Sequence, residues 1–275
     1  MSSGTNVPNL QKNKIIEYLE SGKRFDGRGV GDYRDMEVET GISNHAESSV
    51  RLRVGKTEVL AGVKMEVVTP YPDSPNDGTF MTSMELHPMA SQEYEMGRPG
   101  IDSIEMSRII DRGIRESGFI DFGKLCIKEG EKVWQIFLDI VALNDDGNMM
   151  DVAALASIIA LGNARLPVYN VETNKVEHEF TDTPLPLRKE AMSFNMTVYK
   201  IGDKVVLDPM IEEELIASYR LSVAVADNDG EPRITAMQKG GSGSVSSEDL
   251  NMILDLIVEK WREMFPKVKK YVWGE

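Results

Sequence analysis

The sequence predicts an α+β fold of two packed units, and three observations carry the prediction. Residues 50–67 and 197–207 each alternate apolar and polar side chains about a central glycine, the pattern of a β-hairpin with a two-residue turn. Apolar residues recur at helical spacing in 103–116 and in a last segment starting at Ser246, and 151–161 is strongly apolar. The two hairpins match in position and chemistry at Val54-Gly55-Lys56 and Ile201-Gly202-Asp203, so the chain reads as two related halves with mixed sheets and packed helices.

Taken in order, Leu10, Ile15, Ile16 and Leu19 mark a short helix that stops at Gly22, and 1–22 reads as an N-terminal docking helix. Lys23-Arg24-Phe25-Asp26-Gly27-Arg28 is too charged and glycine-rich for a regular element and reads as an ordered loop. The first unit, 23–167, holds the first hairpin, the 103–116 helix, strands near 125–126 and 133–141, and the apolar helix. Residues 168–187 are charged and turn-rich, contain Pro184 and Pro186, and read as a linker. The second unit, 188–275, has strands near 192–199, 221–227 and 233–237 before its helix. There Ser246 and Asp249 form a capping-box pattern, and Leu250, Ile253, Leu254, Ile257 and Trp261 mark a buried face.

Composition narrows the function classes. No apolar run approaches the roughly 20 residues of a bilayer span, and the polar N-terminus lacks the apolar core of a signal peptide. The expected compartment is the cytoplasm, with no membrane contact. A net charge of −14 opposes non-specific binding to nucleic acid, so any phosphate contact must come from a local concentration of Lys and Arg. The single cysteine, Cys126, excludes an internal disulfide, and its apolar neighbours predict a buried structural thiol. His45, His87 and His178 are scattered, so no metal site is expected, nor any other cofactor.

In SIEMSRIIDRGIRES, 3.6 residues per turn puts Arg108, Arg112 and Arg115 within an arc of about 60°, with Met106, Ile109 and Ile110 on the other side. Guanidinium groups in a row match successive phosphates of a nucleic-acid strand and would anchor an RNA backbone without reading its sequence. The same spacing fits a solvated face neutralised by Glu105, Asp111 and Glu116, and periodicity does not decide between the two. Glu212-Glu213-Glu214 reads as a solvated helix start rather than a magnesium site. Gly240-Gly241-Ser242-Gly243-Ser244 reads as a flexible turn and cap rather than a phosphate cradle.

Several motifs together resemble the RNase PH superfamily: Arg24-Phe25-Asp26-Gly27-Arg28, the hairpin from Ser49 through Val54-Gly55-Lys56-Thr57 to Val59-Leu60, and Ile104-Glu105-Met106-Ser107-Arg108-Ile109-Ile110-Asp111-Arg112. Leu138-Asp139-Ile140 and Asp145-Asp146-Gly147-Asn148 extend the likeness over nearly the whole chain after Glu20. Within the superfamily the chain resembles the non-catalytic ring subunit of archaeal exosomes. The resemblance implies an RNase PH-like fold, of the ribosomal protein S5 domain 2-like type, in each half. It also implies a ring of three heterodimers with a catalytic RNase PH-like partner, RNA-binding cap subunits, and single-stranded RNA threaded to sites where phosphate releases nucleoside diphosphates. In that subunit class arginines matching Arg108 and Arg112 reach the RNA; Arg115 is carried as a third RNA-binding candidate without that precedent.

The sequence departs from catalytic members of the superfamily in two places. They carry Gly-Ser-Arg or Gly-Thr-Arg at the start of the apolar helix, where free N–H groups and the helix dipole favour an anion. Gly147-Asn148-Met149 keeps the glycine and loses the hydroxyl and the guanidinium, while Asn148 and Asp151 look like a helix cap. They also use an Asp about a dozen residues after a Leu-Asp pair in the second half; counted from Leu207-Asp208, that position holds Arg220. The resemblance therefore implies no catalytic residue in this chain and a scaffolding and RNA-holding role. Two alternatives stand beside it: an active phosphorolytic enzyme with a rearranged site formed by Lys239, Arg220 or the acidic run with Asp139 or Asp145, and a purely structural ring subunit.

Overall fold

A computed structural model describes residues 7–170, 172–173 and 175–274; residues 1–6 of the N-terminal docking segment and the side chain of His178 lie outside the described residues. Helix α1 (Asn9–Glu20) buries Ile15 and Leu19 against Ile201 and Val206, which belong to the second hairpin. The first sheet is built from β1 (Met36–Thr40), β2 (Ser48–Val54), β3 (Thr57–Val68), β4 (Thr79–Leu86), β5 (Cys126–Lys128) and β6 (Lys132–Asn144). Its order is β1-β2-β3-β6-β4, with β5 also on β6; β4 runs parallel to β6 and the other pairs are antiparallel. Helix α2 (Ile101–Ser117) follows β4 and ends at Gly118, left-handed at φ 76°. Helix α3 (Met149–Asn163) follows β6.

The second half adds β9 (Ser193–Ile201), β10 (Lys204–Leu207), α4 (Ile211–Ile216), β11 (Tyr219–Asn228), β12 (Glu231–Gly241) and α5 (Ser247–Trp273), its four strands ordered β10-β9-β11-β12 and all antiparallel. Both predicted hairpins form with two-residue turns, Val54 facing Thr57 and Ile201 facing Lys204, and Gly55 and Gly202 take φ of 60° and 56°. A glycine is needed at such a first turn position because positive φ crowds a β-carbon.

Residues 168–187, expected to be a linker, are mostly paired backbone: β7 (Arg165–Asn170) and β8 (Lys175–Pro184) form a hairpin, and Leu187 bridges to Ile120. Strand pairing satisfies main-chain groups whatever the side-chain charge, which is why the charged composition concealed it. Cys126, expected buried, is only partly buried in the short strand β5.

Helix α3 is apolar all round because it is buried all round, packing against β2 and β3 of the first sheet and β9 and α5 of the second half. Leu155, Ile158, Ile159 and Leu161 are each almost fully buried there, and burial of each contributes roughly 1.5–3 kcal/mol. One core thus runs through both halves and fixes the start of α3 relative to the second sheet. No helix among the described residues is long and apolar enough to cross a membrane.

Candidate functional site

Helix α2 packs on β4, with Ser107, Ile110, Gly113 and Ile114 buried and Arg108, Arg112 and Arg115 exposed. With Thr82, Ser107, Asp111 and Glu116 the three arginines line an open groove of about 340 Å³. They are not equivalent. Arg115 donates to both carboxylate oxygens of Asp111 at 3.0 and 2.9 Å and to the Phe80 carbonyl at 3.0 Å. Its guanidinium also sits 5.7 Å from the ring centres of Phe80 and Phe122, so it is part of the groove wall. Arg108 and Arg112 make no side-chain hydrogen bond or ion pair with the described residues: Asp111 pairs with Arg115, Glu105 with Arg220 at 2.8 Å, and Glu116 with none of them. Neutralisation by neighbouring carboxylates is realised at Arg115 and at neither of the other two.

At the start of α3, Gly147 (φ 89°) and Asn148 (φ 58°, ψ 32°) take left-handed backbone and turn the chain into the helix. A β-carbon on Gly147 would lie 2.6 Å from backbone atoms of Pro209, Met210 and Ile211. The Asn148 N–H is the donor a bound anion would meet at a helix start. It donates instead to Glu214 Oε2 at 2.9 Å, and Met149 is buried. Burial pushes the Glu214 carboxyl above its ordinary value, and the charge of Asp145 adds to this.

Two sequence expectations are corrected here. Asn148 occupies the cap position but its side chain does not cap; the left-handed backbone carries it to Asp208 Oδ1, to which Nδ2 donates at 2.9 Å. Asp151 does not cap either: it accepts from the Thr197 N–H at 2.9 Å, Thr197 Oγ1 at 2.6 Å and the Tyr33 hydroxyl at 3.3 Å, tying α3 to β9. Burial, with the charge of Asp208 adding, pushes the Asp151 carboxyl up to about 7. The acidic run is not a solvated helix start: Glu213 forms a buried ion pair with Arg24, and Glu214 fills the α3 start. Among the described residues no group of three or more His, Cys, Asp or Glu is placed to hold a metal ion.

Asp208 joins these parts. Its fully buried carboxylate accepts from Arg34 Nε, Nη2 and backbone N (2.9, 2.7 and 2.7 Å), Arg28 Nη1 (2.9 Å) and Asn148 Nδ2 (2.9 Å). Arg34 in turn donates to the carbonyls of Asp146 and Gly147, which fixes the turn into α3. The ordered loop containing Arg24 and Arg28 is thus held by the second half, Arg24 Nη1 and Nη2 donating to the carbonyls of Leu207 and Asp208. Sequence reasoning gave no role to Arg34 or Asp208, whose partners lie far away in the chain; for Glu214 the acidic run was the only signal.

Arg220 lies on β11 beside α2, with Nη1 donating to Ser222 Oγ at 3.3 Å and Nη2 paired with Glu105. Lys239 donates to the Gly241 carbonyl, Asp139 accepts from Ser83, and Asp145 accepts from Tyr94 and the Gly147 N–H. Of the groups that a rearranged site would bring together, Glu214 has both Asp145 and Arg220 as electrostatic neighbours, Asp145 raising its pKa and Arg220 lowering it.

The comparisons with known proteins agree with this architecture. The first-domain model of the 3′ exoribonuclease (RNase PH) family matches residues 32–167 and its second-domain model matches 192–257. The exosome complex component Rrp42 of Methanothermobacter thermautotrophicus is 40% identical over 265 residues, 96% of each chain. That of Pyrococcus horikoshii is 41% identical over 266 residues, 96% of this chain and 95% of the relative. A chain of the Archaeoglobus fulgidus exosome with RNA bound to the active site superposes with a TM-score of 0.83 at 37% identity, covering 94% of this chain and 98% of that one. An archaeal exosome core chain gives 0.79 at 34% identity, covering 94% and 97%. With both domains matched in order and near full-length relatives at this identity, the chain belongs to the 3′ exoribonuclease (RNase PH) family.

Proposed function

We propose that this chain is a non-catalytic ring subunit of a phosphorolytic 3′-to-5′ RNA-degrading exosome, working in the cytoplasm. In this reading it alternates with a catalytic RNase PH-like partner in a ring of three heterodimers that carries RNA-binding cap subunits. The observation that carries the non-catalytic reading is the Glu214 carboxylate on the Asn148 N–H. An incoming phosphate would find that donor taken and a carboxylate in its place, with neither the hydroxyl nor the guanidinium of catalytic relatives beside it. The positive part of the role rests on Arg108 and Arg112, exposed, unpaired among the described residues and about 6 Å apart along the helix axis, each able to give paired hydrogen bonds to a phosphate of single-stranded RNA.

The test has two arms. The purified chain, given RNA and inorganic phosphate, releases no nucleoside diphosphate; sustained release with contamination excluded would overturn the non-catalytic assignment. In the ring assembled with the catalytic partner, Arg108→Ala with Arg112→Ala weakens RNA binding and lowers the slope of log affinity against log salt by about 0.7 for each phosphate that is no longer neutralised. An unchanged affinity and slope would remove the RNA role.

A further inference from the structure

The two arginines on α2 that pair with none of the described residues lie beside a carboxylate that could pair with one of them. Glu105 lies three residues before Arg108, the spacing at which helix side chains meet. It is turned away by Arg220, which reaches across from β11 and holds Glu105 Oε2 at 2.8 Å. Arg220 is itself firmly placed: Nη1 donates to Ser222 Oγ, and the guanidinium lies over Gly240, where a β-carbon would come within 2.8 Å of Cζ. Ser222 Oγ in turn donates to Thr197 Oγ1 at 3.0 Å, since the one Thr197 hydroxyl proton goes to Asp151. The side-chain line from α3 to α2 therefore ends on Glu105.

We infer that Arg220 is a positioning residue for RNA binding: by binding Glu105 it keeps Arg108 free for a phosphate of single-stranded RNA. The inference rests on the RNA role proposed for Arg108 and Arg112 and gives Arg220 a task in which it does not touch RNA. Removing the guanidinium releases Glu105 to pair with Arg108, and RNA must then displace a carboxylate before it can bind.

The test uses the ring assembled with the catalytic partner and a fluorescent single-stranded oligoadenylate in phosphate-free buffer. Arg220→Ala lowers affinity about two- to five-fold, the weight of an exposed ion pair that must be broken, and lowers the salt slope. Adding Glu105→Gln to Arg220→Ala restores both, because the neutral amide no longer competes for Arg108. A merely structural role predicts the opposite for the double variant, since the bonds to Ser222 and the packing on Gly240 stay broken; failure of the rescue overturns the inference, as does wild-type affinity in Arg220→Ala. Arg108→Ala with Arg112→Ala separates the two levels. If that pair weakens binding and Arg220→Ala does not, the inference alone fails, and if neither has an effect the RNA reading fails with it.

Discussion

Changing Asp208 to Asn keeps the shape of the side chain, removes its charge and replaces one acceptor oxygen by a donor. Five donors converge on that carboxylate, three of them from Arg34, whose side chain is only 9% exposed. Removing one partner of a buried ion pair costs roughly 3–5 kcal/mol because the other charge stays buried. Arg34 keeps Asp146 at 3.6 Å and two carbonyls. That places Asp208→Asn near the lower end, at about 3 kcal/mol. For a chain of this size each kcal/mol moves the melting temperature by about 2–4 °C, so the expected fall is about 6–12 °C.

The pH dependence has a definite sign. Burial raises the Asp208 pKa, but the hydrogen bonds and charge of Arg34 outweigh it and leave it below the ordinary value of 3.8. A group whose folded pKa is lowered stabilises fully above its unfolded value, and that stabilisation is lost as the pH falls through the folded value. The gap between wild type and Asp208→Asn in thermal or urea melts is therefore constant from neutrality down to 3.8 and shrinks below it. A neutral-pH difference under about 1 kcal/mol, the size of an average substitution, would refute the reasoning, and so would a gap that persists in acid.

Asp151→Asn acts in a different window: with the folded carboxyl raised to about 7, its stabilisation relative to the unfolded chain is full below 3.8 and is lost as the pH rises through about 7. Wild type thus loses stability relative to the variant as the pH rises through that range, and parallel melting curves would contradict this. Arg115→Ala destabilises by about 1–2 kcal/mol, because the Asp111 pair, the Phe80 hydrogen bond and the ring packing all go with the guanidinium, yet leaves RNA affinity of the ring unchanged; a drop in affinity equal to that of Arg108→Ala would show that Arg115 also holds RNA. Gly147→Ala costs about 3 kcal/mol or more, since a β-carbon there meets both a positive φ and the Met210–Ile211 backbone. A wild-type melting temperature for that variant would mean the turn can relax.

Regular local structure was legible where the signal was local. The two hairpins follow from alternation and a turn glycine, α3 from its apolar run, and the last helix from Ser246, whose hydroxyl accepts the Asp249 N–H as the capping pattern implies. The β7–β8 hairpin was missed because pairing satisfies backbone groups whatever the side chains, and charged residues such as Lys175, Glu177, Glu179 and Asp182 stay exposed on it. Asn148 and Asp151 were misread as caps because a helix start looks the same in sequence whether its polar side chains turn inward to the helix or outward to another strand.

The sequence by itself determined the two-unit α+β character, the family motifs and the absence of a hydroxyl and a guanidinium at Asn148 and Met149, because each depends on residue identity at a fixed position or on a short repeat. Only the tertiary structure decided that Glu214 fills the α3 start, that Asp208 gathers Arg28, Arg34 and Asn148, and that among the described residues Arg108 and Arg112 stay unpaired while Arg115 does not. Those outcomes depend on which charges meet across the two halves. A charge pairs with whatever the fold brings within a few ångströms, and for Glu105 that was Arg220 on another strand rather than the arginine one helical turn away.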